Sequence, residues 1–227
     1  MIYRHLISGI FRTRPNRFIA FVDTQEGTQR CHVKNTGRCK ELLVPGCEVY
    51  LDYAGDQPSR KTAYDLVAVR KGERLINMDA QAPNRVFREW AAAGHFLPGL
   101  ERIVPEVRWG ASRLDFCLYD AFGPYWVEVK GVTLEEQGHA YFPDAPTERG
   151  VRHLQELSAL AEQGQRAAVF FVIQMEDVDS FAPNERTHPA FGAALRQAAA
   201  AGVQIFAYDC VVTPNQLELR QPVPILL

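Results

Sequence analysis

The chain has 227 residues, 47% hydrophobic and 23% charged, with a mean hydropathy of -0.19 and a formal net charge of -2. These are the proportions of an ordinary globular protein with room for one large or two small domains, and they exclude disordered and collagen-like classes. The longest apolar stretch, residues 167–173, is too short to cross a bilayer, and no signal-like succession opens the chain, so a cytoplasmic protein without a membrane partner is expected.

Five cysteines, with no CxxC pair, do not form a disulfide framework. Cys31, Cys39 and Cys47 recur at intervals of eight beside His32, but structural zinc sites use tight ligand pairs, so these cysteines read as small apolar core residues.

Residues 5–77 read as short strands. Segments 5–11 and 17–22 are β-rich, with Arg14-Pro15-Asn16 breaking between them. A turn at Gln25-Glu26-Gly27 leads into 28–33, a loop follows at Asn35-Thr36-Gly37-Arg38, and Pro45-Gly46 precedes the alternating run 47–53. Segments 62–69 and 73–76 complete a set that fits a small barrel, either of the oligonucleotide/oligosaccharide-binding (OB) type or SH3-like. This part is basic. Up to Ala80 there are 13 Lys+Arg against 9 Asp+Glu, net +4, and the remainder is net -6. The excess is concentrated in Arg4, Arg12, Arg14, Arg17, Arg30, Lys34, Arg38 and Lys40, a cluster that suits a phosphate backbone or is a solvated surface.

From Gln81 the character changes. Residues 83–94 read as a helix with Pro83 in its first turn and Gly94 at its end. Strands follow at 102–107, 113–119 and 125–132; Thr147 caps a helix reaching about residue 164; 167–173 is a strand covered on both faces. A helix at 189–201 and a strand at 203–208 complete the order α-β-β-β-α-β-α-β, an α/β layer fold with a mixed sheet.

Asp115 lies in the second of these strands, and Glu128 and Lys130 in the third. If the two form a hairpin turning between Ala121 and Phe122, Asp115 and Glu128 face each other, and Lys130 shares the Glu128 face. Paired carboxylates suit a Mg²⁺ ion, and a neighbouring lysine suits the charge that develops in phosphodiester hydrolysis. The plainer alternative is a cross-strand ion pair of Lys130 with either acid. Arg149 and His153 share one face of the Thr147-capped helix, and Glu89 and Glu106 are further acids within possible reach; His139 reads as a loop residue.

These residues resemble a known family, the sugar fermentation stimulation proteins. The resemblance is carried by Asn35-Thr36-Gly37-Arg38, by Glu106-Val107-x-x-Gly110 with Ser112-Arg113-Leu114-Asp115-Phe116, and by the run from Val127 to Thr133 that contains Glu128, Lys130 and Gly131. It continues through Tyr141-Phe142-Pro143-Asp144-Ala145-Pro146-Thr147-Glu148-Arg149-Gly150, His153-Leu154 and Glu156-Leu157.

The resemblance implies an OB-type barrel over residues 1–80 joined to a PD-(D/E)xK nuclease-like α/β domain over 81–227. It implies sequence-independent DNA binding, with RNA not distinguished, through Arg14, Arg17, Lys34, Asn35, Thr36, Arg38 and Lys40, and stacking on Phe18, Phe21 or Tyr50. Asp115 and Glu128 become ligands of Mg²⁺ or Mn²⁺ and Lys130 the catalytic lysine of a nuclease, with Glu89, Asp144, Thr147, Arg149 and His153 as auxiliary residues. Leu114 stands where the superfamily pattern has Pro, and Lys34 where many relatives are expected to have Pro. A second reading is a non-catalytic DNA-binding regulator of sugar (maltose) metabolism. A third, a sugar or sugar-phosphate binder, rests only on the family name.

Overall fold

The computed structural model describes residues 1–227 apart from 36, 56–59 and 111. Five strands close the first barrel: β1 (Leu6–Asn16), β2 (Ile19–Thr24), β3 (Gly27–Val33), β4 (Glu48–Tyr53) and β5 (Tyr64–Lys71). The sheet runs β3-β2-β1-β4-β5, and β5 returns to pair with β3 in parallel. This closure is the OB arrangement rather than the SH3-like one. β6 (Arg74–Asn77) extends β5 as a hairpin. Alternate residues point inward, so Ala20, Val22, Cys31, Val33, Val49 and Leu51 fill the interior. The expected break at Arg14-Pro15-Asn16 is absent: β1 runs through it, absorbing the irregularity as shifts of its register against β2. Pro15 is exposed there, consistent with the placement of proline at irregular points of a strand.

The second part comprises α1 (Ala82–Ala92), β7 (Arg102–Trp109), β8 (Ser112–Asp120), β9 (Gly123–Val132), β10 (Leu134–Glu136), β11 (His139–Phe142), α2 (Glu148–Glu162), β12 (Arg166–Ile173), β13 (Ser180–Pro183), α3 (Pro189–Ala200), β14 (Gln204–Thr213) and β15 (Gln216–Pro222). Its main sheet runs β15-β14-β12-β9-β8-β7, with β12 parallel to both β9 and β14 and the remaining pairs antiparallel. α1 buries Val86 and Phe87 on one face, against Phe116 and Phe170. α2 and α3 bury Leu154, Leu157, Phe191 and Leu195 on the other. β12 is therefore covered on both faces, which explains its unbroken apolar run.

A three-stranded sheet, β10-β11-β13, departs from the sequence reading. It takes Tyr141 and Phe142 out of the expected loop and places His139 in a strand, with its ring nitrogen 2.8 Å from the Ser180 hydroxyl. Four cysteines are buried, Cys47 is half-buried, and all five are free. No described helix is long and apolar enough to cross a membrane.

Buried polar groups join the two parts. The Gln174 amide donates to Asn77 Oδ1 (2.9 Å) and to the Asp79 carbonyl (3.1 Å), and Asn77 Nδ2 donates to the Tyr3 hydroxyl (2.9 Å). Lys71 pairs with Glu135 at 2.8 Å. The Gln174 and Lys71 bonds span the two parts and the Asn77–Tyr3 bond supports them from the barrel side, so relative movement would strand buried polar atoms.

Candidate functional site

The β8–β9 hairpin turns through Ala121 and Phe122, and its last ladder pair is Phe116↔Val127. Asp115 and Glu128 are the next residues along the two strands, where the ladder stops. Their carboxylates continue the clasp: Val129 N–H donates to Asp115 Oδ2 at 2.8 Å, and Asp115 N–H approaches Glu128 Oε2 at 3.3 Å. Two acids thus meet at a splayed end of the sheet. Burial pushes the Asp115 carboxyl above its ordinary range and the Glu128 charge adds to this, against the opposing pull of Lys130, the Val129 N–H and Asn84. Burial also pushes Glu128 upward, but the His153 hydrogen bond and the Lys130 charge outweigh it and leave that carboxyl below its usual range.

Lys130 Nζ and His153 Nδ1 both contact Glu128 Oε1. Arg149 Nε donates to His153 Nε2 at 3.3 Å, so the imidazole accepts at Nε2 and carries its proton on Nδ1, toward Glu128. His153 and Glu128 are each only 2% exposed. Arg149 and His153 stand one helical turn apart on α2, whose N-terminus is fixed by Thr147: its hydroxyl accepts the Gly150 N–H at 3.0 Å. Gly131 is required sterically, because a β-carbon there would run into Gln174 and Pro83. Gly131→Ala is expected to cost about 1–3 kcal/mol in denaturant unfolding, through displacement of the strand that carries Lys130.

Asn84, in the first turn of α1, has no counterpart in the sequence reading. Its Nδ2 donates to Asp115 Oδ1 at 2.8 Å, fixing the carboxylate from the α1 side. Glu89 does not reach the site: it pairs with the amino terminus at 2.8 Å and with Arg85 at 3.0 Å. Glu106 falls opposite Asp115 in the β7–β8 register, between the pairs Pro105↔Phe116 and Val107↔Leu114. Its left-handed backbone (φ 53°) accompanies an outward carboxylate, 2.9 Å from Arg113. Among the described residues no group of three or more His, Cys, Asp or Glu side chains is gathered to hold a metal. Asp115 and Glu128 are the oxygen donors that the sheet end presents.

The basic residues of the barrel divide by role. Arg12, Arg14, Arg17, Arg38 and Lys40 line a groove of about 500 Å³. Arg14 is half-buried there and donates to the carbonyls of Arg38 (2.8 Å), Arg17 (2.7 Å) and Asn35 (2.7 Å), so it holds the loop that shapes the groove. Asn35 Oδ1 accepts the Gly37 N–H at 2.8 Å, an internal loop bond. Arg17 lies over Phe18, which is 43% exposed. Phe21 is half-buried. Two expectations need correction, and a third falls on a residue that is not described. Lys34 turns away from the groove to pair with buried Asp79 at 2.7 Å; Tyr50 is 8% exposed, with no free face for stacking; Thr36 lies outside the described residues.

Groove and acid pair are linked by one segment. Asp144 lies against Gly37, where a β-carbon would collide with its carboxylate. Burial raises the Asp144 carboxyl, and the nearby Arg14 and Arg38 charges lower it. Three residues later Thr147 caps α2, and His153 follows about 9 Å further along the helix.

A closed OB barrel leading into a mixed α/β sheet with an acid-acid-lysine set at one splayed hairpin defines a two-part architecture. The family profile "SfsA N-terminal OB domain" matches residues 13–78, and "Sugar fermentation stimulation protein RE domain" matches residues 81–216. The chain belongs to the sugar fermentation stimulation protein family. A homologue from Ruminiclostridium cellulolyticum is 51% identical over 227 residues, covering all of both chains. One from Desulfitobacterium hafniense is 55% identical over 218 residues, 96% of this chain and 95% of its own. The structure of Pyrococcus furiosus SfsA in complex with Ca²⁺ superposes with a TM-score of 0.91 at 30% identity, covering 100% of this chain and 98% of that one.

Proposed function

We propose that the protein binds nucleic acid through the barrel groove, without sequence preference, and hydrolyses phosphodiester bonds at Asp115, Glu128 and Lys130 with Mg²⁺ or Mn²⁺. In this reading residues 1–80 form the nucleic-acid-binding domain and 81–227 a PD-(D/E)xK nuclease-like catalytic domain. The observation that carries the reading is the end of the β8–β9 ladder, where two carboxylates and a lysine converge in a chain whose barrel carries a cationic groove.

The residues fit a divalent cation. Asp115 and Glu128 supply hard oxygen donors, and their carboxylates meet where the β8–β9 ladder stops. The Pyrococcus furiosus relative was solved with Ca²⁺, a cation of the same oxygen-seeking kind. A bound Mg²⁺ or Mn²⁺ supplies charge neutralisation, polarisation of a phosphoryl oxygen and a more acidic water. Asn84 and the Val129 N–H orient Asp115, while His153, fixed by Arg149, orients Glu128. Lys130 brings an ammonium to the charge that develops on the phosphorus oxygens.

A panel of end-labelled single-stranded, duplex and RNA substrates, incubated with Mn²⁺, Mg²⁺ or chelator, tests the proposal. Metal-dependent cleavage of at least one substrate is expected; folded, metal-supplied protein that cuts none would overturn it. One observation favours the non-catalytic regulator instead: Lys130 and His153 both occupy Glu128 Oε1. Both readings share the barrel groove, where Arg17→Ala/Arg38→Ala should lower the slope of log affinity against log salt by about 1.4, or 0.7 for each lost contact with a single strand. Fluorescence anisotropy across a salt series measures that change.

A further inference from the structure

The barrel carries a second cationic depression, separate from the groove. It encloses about 470 Å³ and is lined by Arg30, His32, Lys34, Arg60, Lys61 and Gln81, among others. Two of its cations are already matched: Lys34 pairs with Asp79, and Arg60 with Asp65. His32 also faces Asp65, at 3.3 Å. Arg30 and Lys61 are exposed and have no acidic partner among the described residues. Lys34, Arg60, Arg30 and Lys61 against Asp65 and Asp79 leave an excess of two positive charges with the histidine neutral. In a chain of net charge -2, a concave basic surface of this kind calls for an anion.

The position of the pocket specifies that anion. β2 and β3 pair Ile19 with His32, and Ile19 lines the pocket. Arg17 of the groove is two residues before Ile19, in the turn that joins β1 to β2. Between the two depressions runs the loop that includes Lys34, Asn35, Gly37 and Arg38. Each depression also abuts one of the helices that hold the acid pair. Gln81 is the N-cap of α1, and Asn84, about 4.5 Å further along, fixes Asp115. On the groove side, Gly37 touches Asp144, just before α2, whose His153 fixes Glu128. α1 and α2 lie on opposite faces of the main sheet. The pocket thus adjoins the start of the helix that fixes Asp115, and the groove adjoins the segment leading into the helix that fixes Glu128.

We propose that this pocket is a second foothold for the phosphodiester backbone, holding the part of a bound strand that lies on the α1 side of the acid pair while the groove holds the part on the α2 side. The inference rests on the nucleic-acid reading above and deepens it. One strand engages both depressions, and the bond between them is presented to Asp115, Glu128 and Lys130. Arg30 and Lys61 supply the phosphate contacts; Lys34 and Arg60, already paired, shape the walls.

Anisotropy with labelled oligothymidylates of two lengths tests this: about 15 nucleotides, near the upper site size for one OB barrel, and about 4, near the lower. Arg30→Ala/Lys61→Ala should weaken the long probe about tenfold and reduce its salt slope by about 1.4, leaving the short probe nearly unchanged. The charge reversal Arg30→Glu/Lys61→Glu should deepen the loss for the long probe. Both residues are exposed, and an unchanged melting temperature confirms that each variant is folded. An unchanged long-probe affinity, with Arg17→Ala/Arg38→Ala still weakening it, would overturn the second foothold and leave the nucleic-acid reading standing. Equal losses for both lengths would overturn it too, because the pocket would then belong to the groove. If wild-type protein binds neither probe, the nucleic-acid reading itself fails.

Discussion

Asp115→Asn is expected to raise the melting temperature of the metal-free protein and to abolish the further rise that Mn²⁺ gives the wild type. In the metal-free state Asp115 is pushed toward its protonated form by burial and by Glu128. Its folded pKa lies above its unfolded one, so the stability linked to this group is greatest below the unfolded value and is lost as pH rises through the folded value. Above its unfolded value the carboxyl therefore works against the fold, through burial first and the Glu128 charge second, and an amide removes both costs. The side chain is accommodated if Asn84 turns its amide over, exchanging a donor for an acceptor at the 2.8 Å contact. A gain of about 2–4 °C is expected, which is what roughly 1 kcal/mol gives in a chain of this size. Wild type should gain about 5–10 °C at a Mn²⁺ concentration near 100 times its Kd, and the variant nothing. Calorimetric titration beside thermal scans separates the two effects. A variant that still binds Mn²⁺ like wild type would remove Asp115 from the metal site.

Lys34→Ala should cause the largest loss of stability, about 3–5 kcal/mol, the range for removing one partner of a buried ion pair. Asp79 is 1% exposed; besides Lys34 it meets the Tyr3 hydroxyl at 3.2 Å and the Gln81 N–H at 2.9 Å, both neutral donors. Burial, and then the Asp79 charge, drive the Tyr3 hydroxyl toward higher pKa, so tyrosine offers Asp79 a hydrogen bond and no charge. Without Lys34 a carboxylate stands unneutralised where barrel meets sheet. Asp79→Asn in the same chain should recover part of the loss, and urea unfolding of the single and double variants measures the coupling. The salt slope of DNA binding should stay unchanged in folded Lys34→Ala, since Asp79 already matches that charge. A fall of about 0.7 would return Lys34 to the phosphate contacts.

Much of the architecture is legible in the sequence because it rests on local periodicity. The strands of the barrel alternate, α2 carries Leu154, Leu157 and Leu160 along one stripe, and β12 is apolar throughout. The β8–β9 register also follows from sequence: residues at the turn, Asp120 to Gly123, set which positions oppose one another. The small sheet escapes such a reading because β10, β11 and β13 are three or four residues long, too short for periodicity to register.

Side-chain partners are less legible. Glu89 and Asn84 are five residues apart on α1, which places them about 140° apart around the helix, and only the packing of that helix shows that the amide and not the acid faces Asp115. Asn84 has no titratable group to draw attention to it. Lys34 looks like any other basic loop residue until the fold buries Asp79 beside it. Glu106 is opposite Asp115 in register, and its backbone conformation, invisible in the residue type, accompanies its pairing with Arg113 instead.

The central proposal, that Asp115, Glu128 and Lys130 form a metal-dependent hydrolytic site, is tested most directly by single-turnover cleavage of a labelled DNA strand with Lys130→Ala beside wild type. Both proteins are held at saturating Mn²⁺, with DNA binding measured in the same samples. Wild type should cut, and the variant should bind the strand equally well yet cut it about 10²–10³ times more slowly, the effect of losing one stabilising charge at the reacting group. Equal cleavage by the two proteins, or none by folded and metal-saturated wild type with the strand bound, would contradict it.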